Sequence, residues 1–459
     1  MTLNHLKRFY RNKLISLPIL FLLILFCKNL LISEFAFPLP IDDQWDGELI
    51  KLYKPYEEGN LSVSHFFASH NEHRIVFTRL FNLAIYILNG NRWNPMLVLR
   101  VQSILAASIP SLILFFLYRF KPIPFLSYLF FGVFSCLPLL YENLLSGIQN
   151  LFYFMIIFIV IGLGVFAKKM KHEFSRFLIL FFLSICTYFS MASGFVFPLI
   201  ISILYFYYFI FAKRNRYLLV GASFFYFLLG ILLYSSIVKV PHIELYYKVS
   251  TFSEFISAVY NIFKRPNLNG VAYGILLIWI PMVLLLLRNI WEKKYKSVID
   301  HPFLFGYLIL IFIQIFGIAY ARGKLPLAID ANRYFDIFLM SIFPLIYLID
   351  DFKKVNSIGS LLRILIIMSL VFVFFQISKL NLATLRYQKN FGRIKTGSEN
   401  HYQYFSEERK NKGGGKNFLL SRKEIGSVDY LYPNKLEYIA ILEDLTVQEI
   451  LRKSGLDKR

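Results

Sequence analysis

The sequence has 459 residues, of which 57% are hydrophobic, and Phe alone occupies 50 positions. This composition excludes an ordinary set of soluble domains, because a globular core does not need so much apolar surface. The formal net charge is +22, but Lys and Arg fall in short clusters between apolar runs rather than on one basic face, which argues against a nucleic-acid partner. The three cysteines lie inside apolar runs, so neither a disulfide framework nor a redox pair is expected.

Long apolar runs dominate the chain as far as about residue 378. A run of about 20 apolar residues can cross a bilayer as a helix. By that rule we expect an all-α protein, a multi-pass transmembrane helical bundle of about eleven spans, at 14–33, 94–118, 123–141, 150–167, 176–192, 195–212, 217–237, 271–288, 302–320, 335–349 and 359–378. No small-residue cleavage site follows the first run, so it is expected to be retained as a span.

The stretch FNLAIYIL (81–88) is apolar but short, and Arg79 and Arg92 lie beside it, so it predicts an amphipathic interfacial helix rather than a span. With that assignment, strongly basic connections alternate with the others along the chain. The positive-inside rule puts the less basic set on the non-cytoplasmic face, at 34–93, 142–150, 191–194, 238–270 and 321–334. Most polar motifs fall in this set, which indicates one site assembled from several outer loops.

Two parts of the chain are therefore expected. Residues 1–378 form the transmembrane domain, with a first outer loop at 34–93. Residues 379–459 contain KGGGK, charges of both signs and a helical pattern, which predicts a small extramembrane tail that is a folded appendage or docks a partner. Odd span parity puts the tail on the outer side.

Acidic residues open the first outer loop. Asp42, Asp43, Asp46 and Glu48 lie within seven residues, just after the first span. Carboxylates this close couple their titrations, and one of them can serve as a general base. They can equally share a divalent cation, or be a solvated acidic loop without chemistry.

The motif HNEHR follows in the same loop. At about 100° per residue of helix, His70 and Arg74 share one side, Glu72 and Arg79 share another, and His73 lies apart. Polar groups pointing in all directions predict that at least one side lines a wet cavity. The spacing of the two histidines is a weak metal signal, because such pairs are more often only hydrogen-bonded.

Arginines mark another outer connection, ARGKLPLAIDANRY (321–334). Holding Arg at membrane depth costs about 2.5 to 3.5 kcal/mol, so such residues usually have an anionic partner. Arg322 and Arg333 could bind a phosphate at the headgroup level, or simply anchor the ends of their helices. Glu142 and Gln149 are weaker signals that helix capping also explains, and their value is their place on the same face.

In order, DDQW, HNEHR, ENLLSGIQ, ASGF and the pair of arginines ending in RY resemble the GT-C superfamily of integral-membrane glycosyltransferases, and in particular a bacterial branch with DDW, HxEHR, ENxxWGxQ and SRY motifs. The resemblance covers residues 14–350 and leaves out the tail. The sequence departs from the pattern at Gln44, which interrupts DDW, at Ser146, where an aromatic is expected, and at Asn332, which replaces a serine.

The resemblance implies an enzyme of a bacterial inner membrane that moves a sugar from a polyprenyl-phosphate donor to a glycan or glycolipid acceptor on the periplasmic or outer face. It implies that Asp42 or Asp43 acts as the base and Glu72 as a second catalytic carboxylate. Substrate or phosphate contacts are expected from His70, His73, Arg74, Arg79, Glu142, Gln149, Arg322, Arg333 and Tyr334. No particular cofactor is implied, and the alternative of a divalent cation, Mg²⁺ or Mn²⁺, held by Asp42, Asp43 and Glu72 stays open.

Two other functions fit the same residues. A flippase or transporter for a lipid-linked glycan would bind phosphate with the same arginines, although transporters usually carry internal repeats and midplane charges. A glycan polymerase would use a diphosphate-linked oligosaccharide as donor. The sequence favours the glycosyltransferase over the transporter, because its polar motifs gather on one face and no repeat is visible, but it does not separate the glycosyltransferase from the polymerase.

Overall fold

The computed structural model describes residues 13–119, 123–139, 141–168, 172–211, 216–291, 301–324, 335–349, 357–390, 392–421, 431 and 434–458. Most of these residues are helical. In chain order the helices α1 to α21 are Lys13–Phe35, Lys54–Glu57, Val63–Phe67, Val76–Leu88, Pro95–Leu117, Phe125–Cys136, Tyr141–Leu144, Asn150–Ala167, Glu173–Tyr188, Val196–Phe211, Arg216–Ser235, Pro241–Tyr246, Phe252–Phe263, Ile280–Trp291, Pro302–Arg322, Phe335–Ile349, Ser357–Asn390, Arg393–Lys410, Gly414–Ser421, Lys435–Glu443 and Leu445–Lys453.

The described chain also contains shorter segments of regular structure. Two are π-helical (Trp45–Tyr53 and Gly274–Trp279), two are 3₁₀ turns (Gly147–Gln149 and Ala192–Phe195), and a two-stranded antiparallel hairpin pairs β1, Asn267–Leu268, with β2, Val271–Ala272.

Long apolar helices confirm a multi-pass membrane protein. Among the described residues, seven are long and apolar enough to cross a membrane: Ile15–Phe35, Pro95–Leu117, Gly147–Ala167, Ala192–Ile210, Arg216–Ser235, Pro302–Arg322 and a segment within Leu361–Lys410. Each coincides with a predicted span. The other four predicted spans contain shorter helices, so the count of eleven remains a prediction.

Close packing in the bundle rests on small residues. A Cβ atom on Gly164 would lie 2.0 Å from the ring of Phe116, which shows how near the two helices approach. Between α10 and α11, the hydroxyls of Ser202 and Ser223 donate to each other's carbonyl oxygens at 2.7 and 2.9 Å. Small and hydroxyl side chains allow such approach where apolar helices gain little from burying surface away from lipid.

Helix α4, Val76–Leu88, contains the stretch for which an interfacial helix was predicted. Its 13 residues are too few to span a bilayer. One face is buried and carries Arg79 and Asn82, while Leu80, Ile87 and Leu88 are exposed on the other. A polar, packed face and an apolar, open face agree with a helix lying along a membrane surface.

The C-terminal tail packs against the first outer loop and shares a hydrophobic core with it. Trp45 lies at the centre of this core, with ring centroids 5.9 Å from Trp93 and 5.2 Å from Tyr438 of the tail. Because these elements touch, the tail and the loop are at the same end of the bundle. The predicted domain boundary at 378 falls inside α17, which runs without a break from Ser357 to Asn390.

Candidate functional site

A cleft of about 280 Å³, lined by both polar and apolar side chains, lies at the end of the first span. Its walls come from the end of α1 and the segment after it, from residues 141–149, and from α17, with Leu431 of the tail closing one side. Four of the predicted site residues line it together: Asp42, Asp43, Glu142 and Gln149. Residues about 100 positions apart in the chain therefore form one site.

The turn that carries the two aspartates has an unusual backbone. Asp42 has a φ of 47°, in the left-handed region, which Asp tolerates better than most residues because its short side chain bonds locally. Its backbone N–H donates to the carbonyl oxygen of Leu431 at 2.8 Å. Trp45 fixes the other end of the turn, because its indole N–H donates to the carbonyl oxygen of Pro40 at 2.9 Å.

Buried amide side chains hold the segment that carries Glu142 and Gln149. The Nε2 of Gln102, on α5, donates to the carbonyl oxygens of Asn143, Leu144 and Ser146 at 3.3, 2.9 and 3.2 Å. The Nδ2 of Asn150 donates to Gly147 O and to Asn82 Oδ1 at 2.8 and 3.0 Å. Irregular backbone inside a helical bundle needs such partners, because an unpaired buried carbonyl is costly.

His70 lies beside the carboxylates. Its ring is 4% exposed, with Nε2 3.6 Å from Asp43 Oδ2 and Nδ1 3.7 Å from Asp46 Oδ2. Both distances exceed a normal hydrogen bond, and neither ring nitrogen has a hydrogen-bond partner among the described residues. Among the described residues that line the cleft, His70 is absent.

Glu72 and Arg322 form an ion pair in which the guanidinium donates to the carboxylate. His73 Nε2 lies 3.7 Å from the same carboxylate oxygen. Burial alone would raise the pKa of Glu72, but the positive charges of His73 and Arg322 outweigh it and hold that pKa below its usual value. Neither Glu72 nor Arg322 is among the described residues that line the cleft.

Two arginines that were predicted to bind phosphate donate hydrogen bonds to oxygen atoms of the protein itself. Arg74 Nη1 donates to the hydroxyl of Tyr188 at 2.9 Å and to the carbonyl oxygen of Ser236 at 3.3 Å. Arg79 is 1% exposed and donates to the carbonyl oxygens of His65, Phe66 and Ala68, at the end of α3. Burial lowers its pKa to about 10, although the charge of Asp46 opposes this. Arg333 and Tyr334 lie outside the described residues.

Sequence reasoning missed two groups of this region. Lys389, near the end of α17, lines the cleft, and its Nζ contacts Glu34 at the backbone oxygen (2.6 Å) and at Oε1 (3.3 Å). The predicted boundary at 378 assigned this residue to the tail, and only the continuation of α17 reveals its position. Glu48 belonged to the acidic cluster but was not chosen for the site.

Glu48 is fully buried behind the aspartate turn. It accepts hydrogen bonds from Gln44 Nε2 at 3.3 Å and from Trp93 Nε1 at 3.2 Å. Burial raises its pKa to about 7, and these hydrogen bonds oppose the rise. A carboxyl group that titrates near neutral pH therefore lies inside the first outer loop.

No family model, curated protein or solved structure matches the chain. Within the described residues, no group of three or more His, Cys, Asp or Glu side chains is arranged to hold a metal ion. The fold defines the class of the protein as a multi-pass helical membrane protein with a cleft at the end of its first span.

Proposed function

We propose that the protein is a membrane glycosyltransferase of the GT-C type, which transfers a sugar from a polyprenyl-phosphate donor to a cell-envelope glycan or glycolipid. The observation that carries this proposal is the cleft that brings Asp42, Asp43, Glu142 and Gln149 together at the end of α1, with Lys389 on its wall. Acidic, amide and cationic groups converge there, beside a membrane span.

The chemistry of the transfer needs few groups. A phosphate is already a good leaving group, so the enzyme must deprotonate the acceptor hydroxyl and stabilise the departing phosphate. Asp42 or Asp43 supplies the base, and its place in the cleft gives it access to an acceptor. The amide of Gln149 and the carboxylate of Glu142 can hydrogen-bond to sugar hydroxyls.

Lys389 is the cation that we assign to the donor phosphate. Its ammonium group lies at the cleft wall and contacts Glu34, and its side chain is 42% exposed. A donor phosphate could take the place of the Glu34 carboxylate, because both are anionic oxygen ligands of an ammonium group. A lipid-linked donor is proposed because the cleft opens where a membrane helix ends. The outer face is proposed from the alternation of basic loops.

Transfer by the purified protein tests the proposal. The protein is reconstituted in liposomes with radiolabelled polyprenyl-phosphate hexose and with the glycolipid fraction of a strain that lacks the gene. We expect Asp42→Asn or Asp43→Asn to lower the transfer rate by about 100-fold or more, the usual effect of losing a general base. Glu437→Gln, which changes an exposed carboxylate of α20, serves as the control.

Three results would overturn the proposal. Transfer at the wild-type rate by both aspartate variants would remove the base assignment. Movement of the lipid across the bilayer without modification of any acceptor would favour a flippase. Activity only with a diphosphate-linked oligosaccharide would favour a polymerase.

A further inference from the structure

His70 is a buried residue beside the site carboxylates, and the proposed reaction gives it no role. Its imidazole ring lies with one nitrogen toward Asp43 and the other toward Asp46, at 3.6 and 3.7 Å. Both ring nitrogens are buried and have no hydrogen-bond partner among the described residues. Such burial lowers the stability of the folded protein unless the two carboxylates compensate for it.

The backbone fixes the ring in this place. His70 and His73 exchange two backbone hydrogen bonds, at 2.7 and 3.0 Å, across a turn in which Asn71 has a φ of 51°. On the other side the ring lies against Gly47, where an added Cβ would come within 3.2 Å of Cε1 and 3.3 Å of Nδ1. The ring is therefore held between the His70–His73 turn and the backbone of Gly47.

We propose that His70 is a positioning residue for Asp43, and that it orients and electrostatically supports this carboxylate from behind the cleft rather than touching the substrate. The inference rests on the proposed function, in which Asp43 serves as a base. An imidazole N–H is a hydrogen-bond donor and the flanking carboxylates are acceptors, so the ring can direct an N–H toward Asp43. A shift of a few tenths of an ångström would turn either contact into a hydrogen bond, and such contacts often tighten when substrate binds.

Asp46 and its neighbours complete the arrangement. Asp46 forms an ion pair with Lys51 at 2.7 Å, and the buried charge of Arg79 also acts on it. Asp43 and Asp46 therefore face the two ring nitrogens, and Lys51 and Arg79 interact in turn with Asp46. This second carboxylate, which has cations of its own, holds the far side of the ring.

Replacement of His70 by three different side chains tests the inference. In His70→Phe the ring shape remains but both nitrogens are lost. The amide nitrogen of Gln can take the place of Nε2, which faces Asp43, whereas that of Asn can take the place of Nδ1, which faces Asp46. For each purified variant, kcat, the KM for polyprenyl-phosphate hexose and the pH dependence of kcat are measured.

We expect His70→Phe to lower kcat by about 10- to 100-fold, the usual cost of losing a group that orients a functional side chain. Its KM should change by less than about threefold, because the ring does not line the cleft. The acidic limb of the pH profile should move to higher pH, because Phe has no N–H to donate to the ionised form of Asp43. His70→Gln should retain more kcat than His70→Asn.

Other outcomes overturn the inference. A higher KM with unchanged kcat in His70→Phe would make His70 a substrate contact, and an unchanged pH profile would leave it a packing group. If His70→Phe does not yield folded protein, equal kcat values for the Gln and Asn variants would contradict the inference. Wild-type transfer by Asp43→Asn would defeat the proposed function itself, whereas an inactive Asp43→Asn beside an unaffected His70→Phe would defeat only this inference.

Discussion

Arg322, at the end of α15, donates to the carboxylate of Glu72, which lies 250 positions earlier in the chain. The pair joins the C-terminal end of a membrane helix to the turn that also carries His70 and His73. Glu72 and Arg322 are 17% and 15% exposed, so the pair is largely shielded from solvent. This contact connects two motifs that the sequence analysis assigned to one site.

Loss of that pair should be visible in the pH dependence of stability. The pKa of Glu72 is below its usual value of 4.5, so its contribution is fully present above pH 4.5 and is lost as pH falls through the lowered pKa. We expect Glu72→Gln to reduce the free energy of unfolding by about 2 kcal/mol at neutral pH. Thermal unfolding in detergent should show the gap to wild type closing below pH 4.5, and a gap that widened there would contradict the assignment.

Glu48 should give the opposite dependence. Burial raises its pKa from 4.5 to about 7, so between these values the folded protein binds more protons than the unfolded chain. Stability should therefore fall as pH rises from 4.5 to about 7, by up to about 3 kcal/mol for a shift of this size. Glu48→Gln should remove this fall in unfolding experiments, and an unchanged slope in the variant would show that the carboxyl is ionised in the folded protein.

Gly194 should not tolerate a side chain. A Cβ atom there would lie 2.1 Å from the carbonyl oxygen of Thr187, and backbone cannot rotate away as a side chain can. We expect Gly194→Ala to cost more than about 2 kcal/mol of stability. The matched control is Gly221→Ala in α11, where nothing lies within 4 Å and the change should be neutral or stabilising by about 0.5 kcal/mol. Equal unfolding midpoints for the two variants would refute the close approach.

Tyr438 should fasten the tail to the first outer loop. Its ring is fully buried against Trp45, and its hydroxyl lies 2.7 Å from Nδ1 of His401. We expect Tyr438→Ala to cost about 3 to 5 kcal/mol and to open the tail to limited proteolysis. Leu436→Ala on the same helix, where the side chain is 68% exposed, should leave the digestion pattern unchanged. A tail equally protected in both variants would speak against the shared core.

Lys389 should act on donor binding more than on chemistry. Under the proposed function, Lys389→Ala should raise the KM for polyprenyl-phosphate hexose by about 5- to 10-fold, as expected for the loss of one charge-assisted hydrogen bond. Lys412→Ala, in an exposed turn of the tail, is the control. Glu34→Gln helps to separate the causes, because it removes the carboxylate charge beside the ammonium group, keeps the contact with the backbone oxygen and should not raise KM. An equal rise in KM for Lys389→Ala and Glu34→Gln would mean that the pair matters only for structure.

The length of the apolar runs was sufficient to predict the class of fold. The bundle, the short helix at Val76–Leu88 and the presence of a helical tail all follow from patterns that are local in sequence. The docking of the tail on the first outer loop does not, because it depends on aromatic residues such as Trp45 and Tyr438 that lie almost 400 positions apart. The continuation of α17 beyond residue 378 was missed because the apolar run ends there and the last turns of the helix carry many polar residues.

The candidate site was predicted in part. The alternation of loop charge grouped Asp42, Asp43, Glu142 and Gln149 on one predicted face, and the structure brings these four residues together in one cleft. Arg79 shows why composition could not settle the rest, since a buried arginine that holds three carbonyl oxygens looks the same in sequence as one that binds phosphate. The role of His70 depends on distances to two carboxylates that no spacing rule supplies.

Mass spectrometry of envelope glycans can decide whether Asp43 supports sugar transfer in the cell. Glycans are compared between a strain that lacks the gene, the same strain with the wild-type gene, and the same strain with Asp43→Asn expressed at an equal level in the membrane. We predict that the deletion removes one sugar from an envelope glycan or glycolipid, and that only the wild-type gene restores it. Full restoration by Asp43→Asn, or an identical glycan profile in all three strains, would contradict the proposed glycosyltransferase.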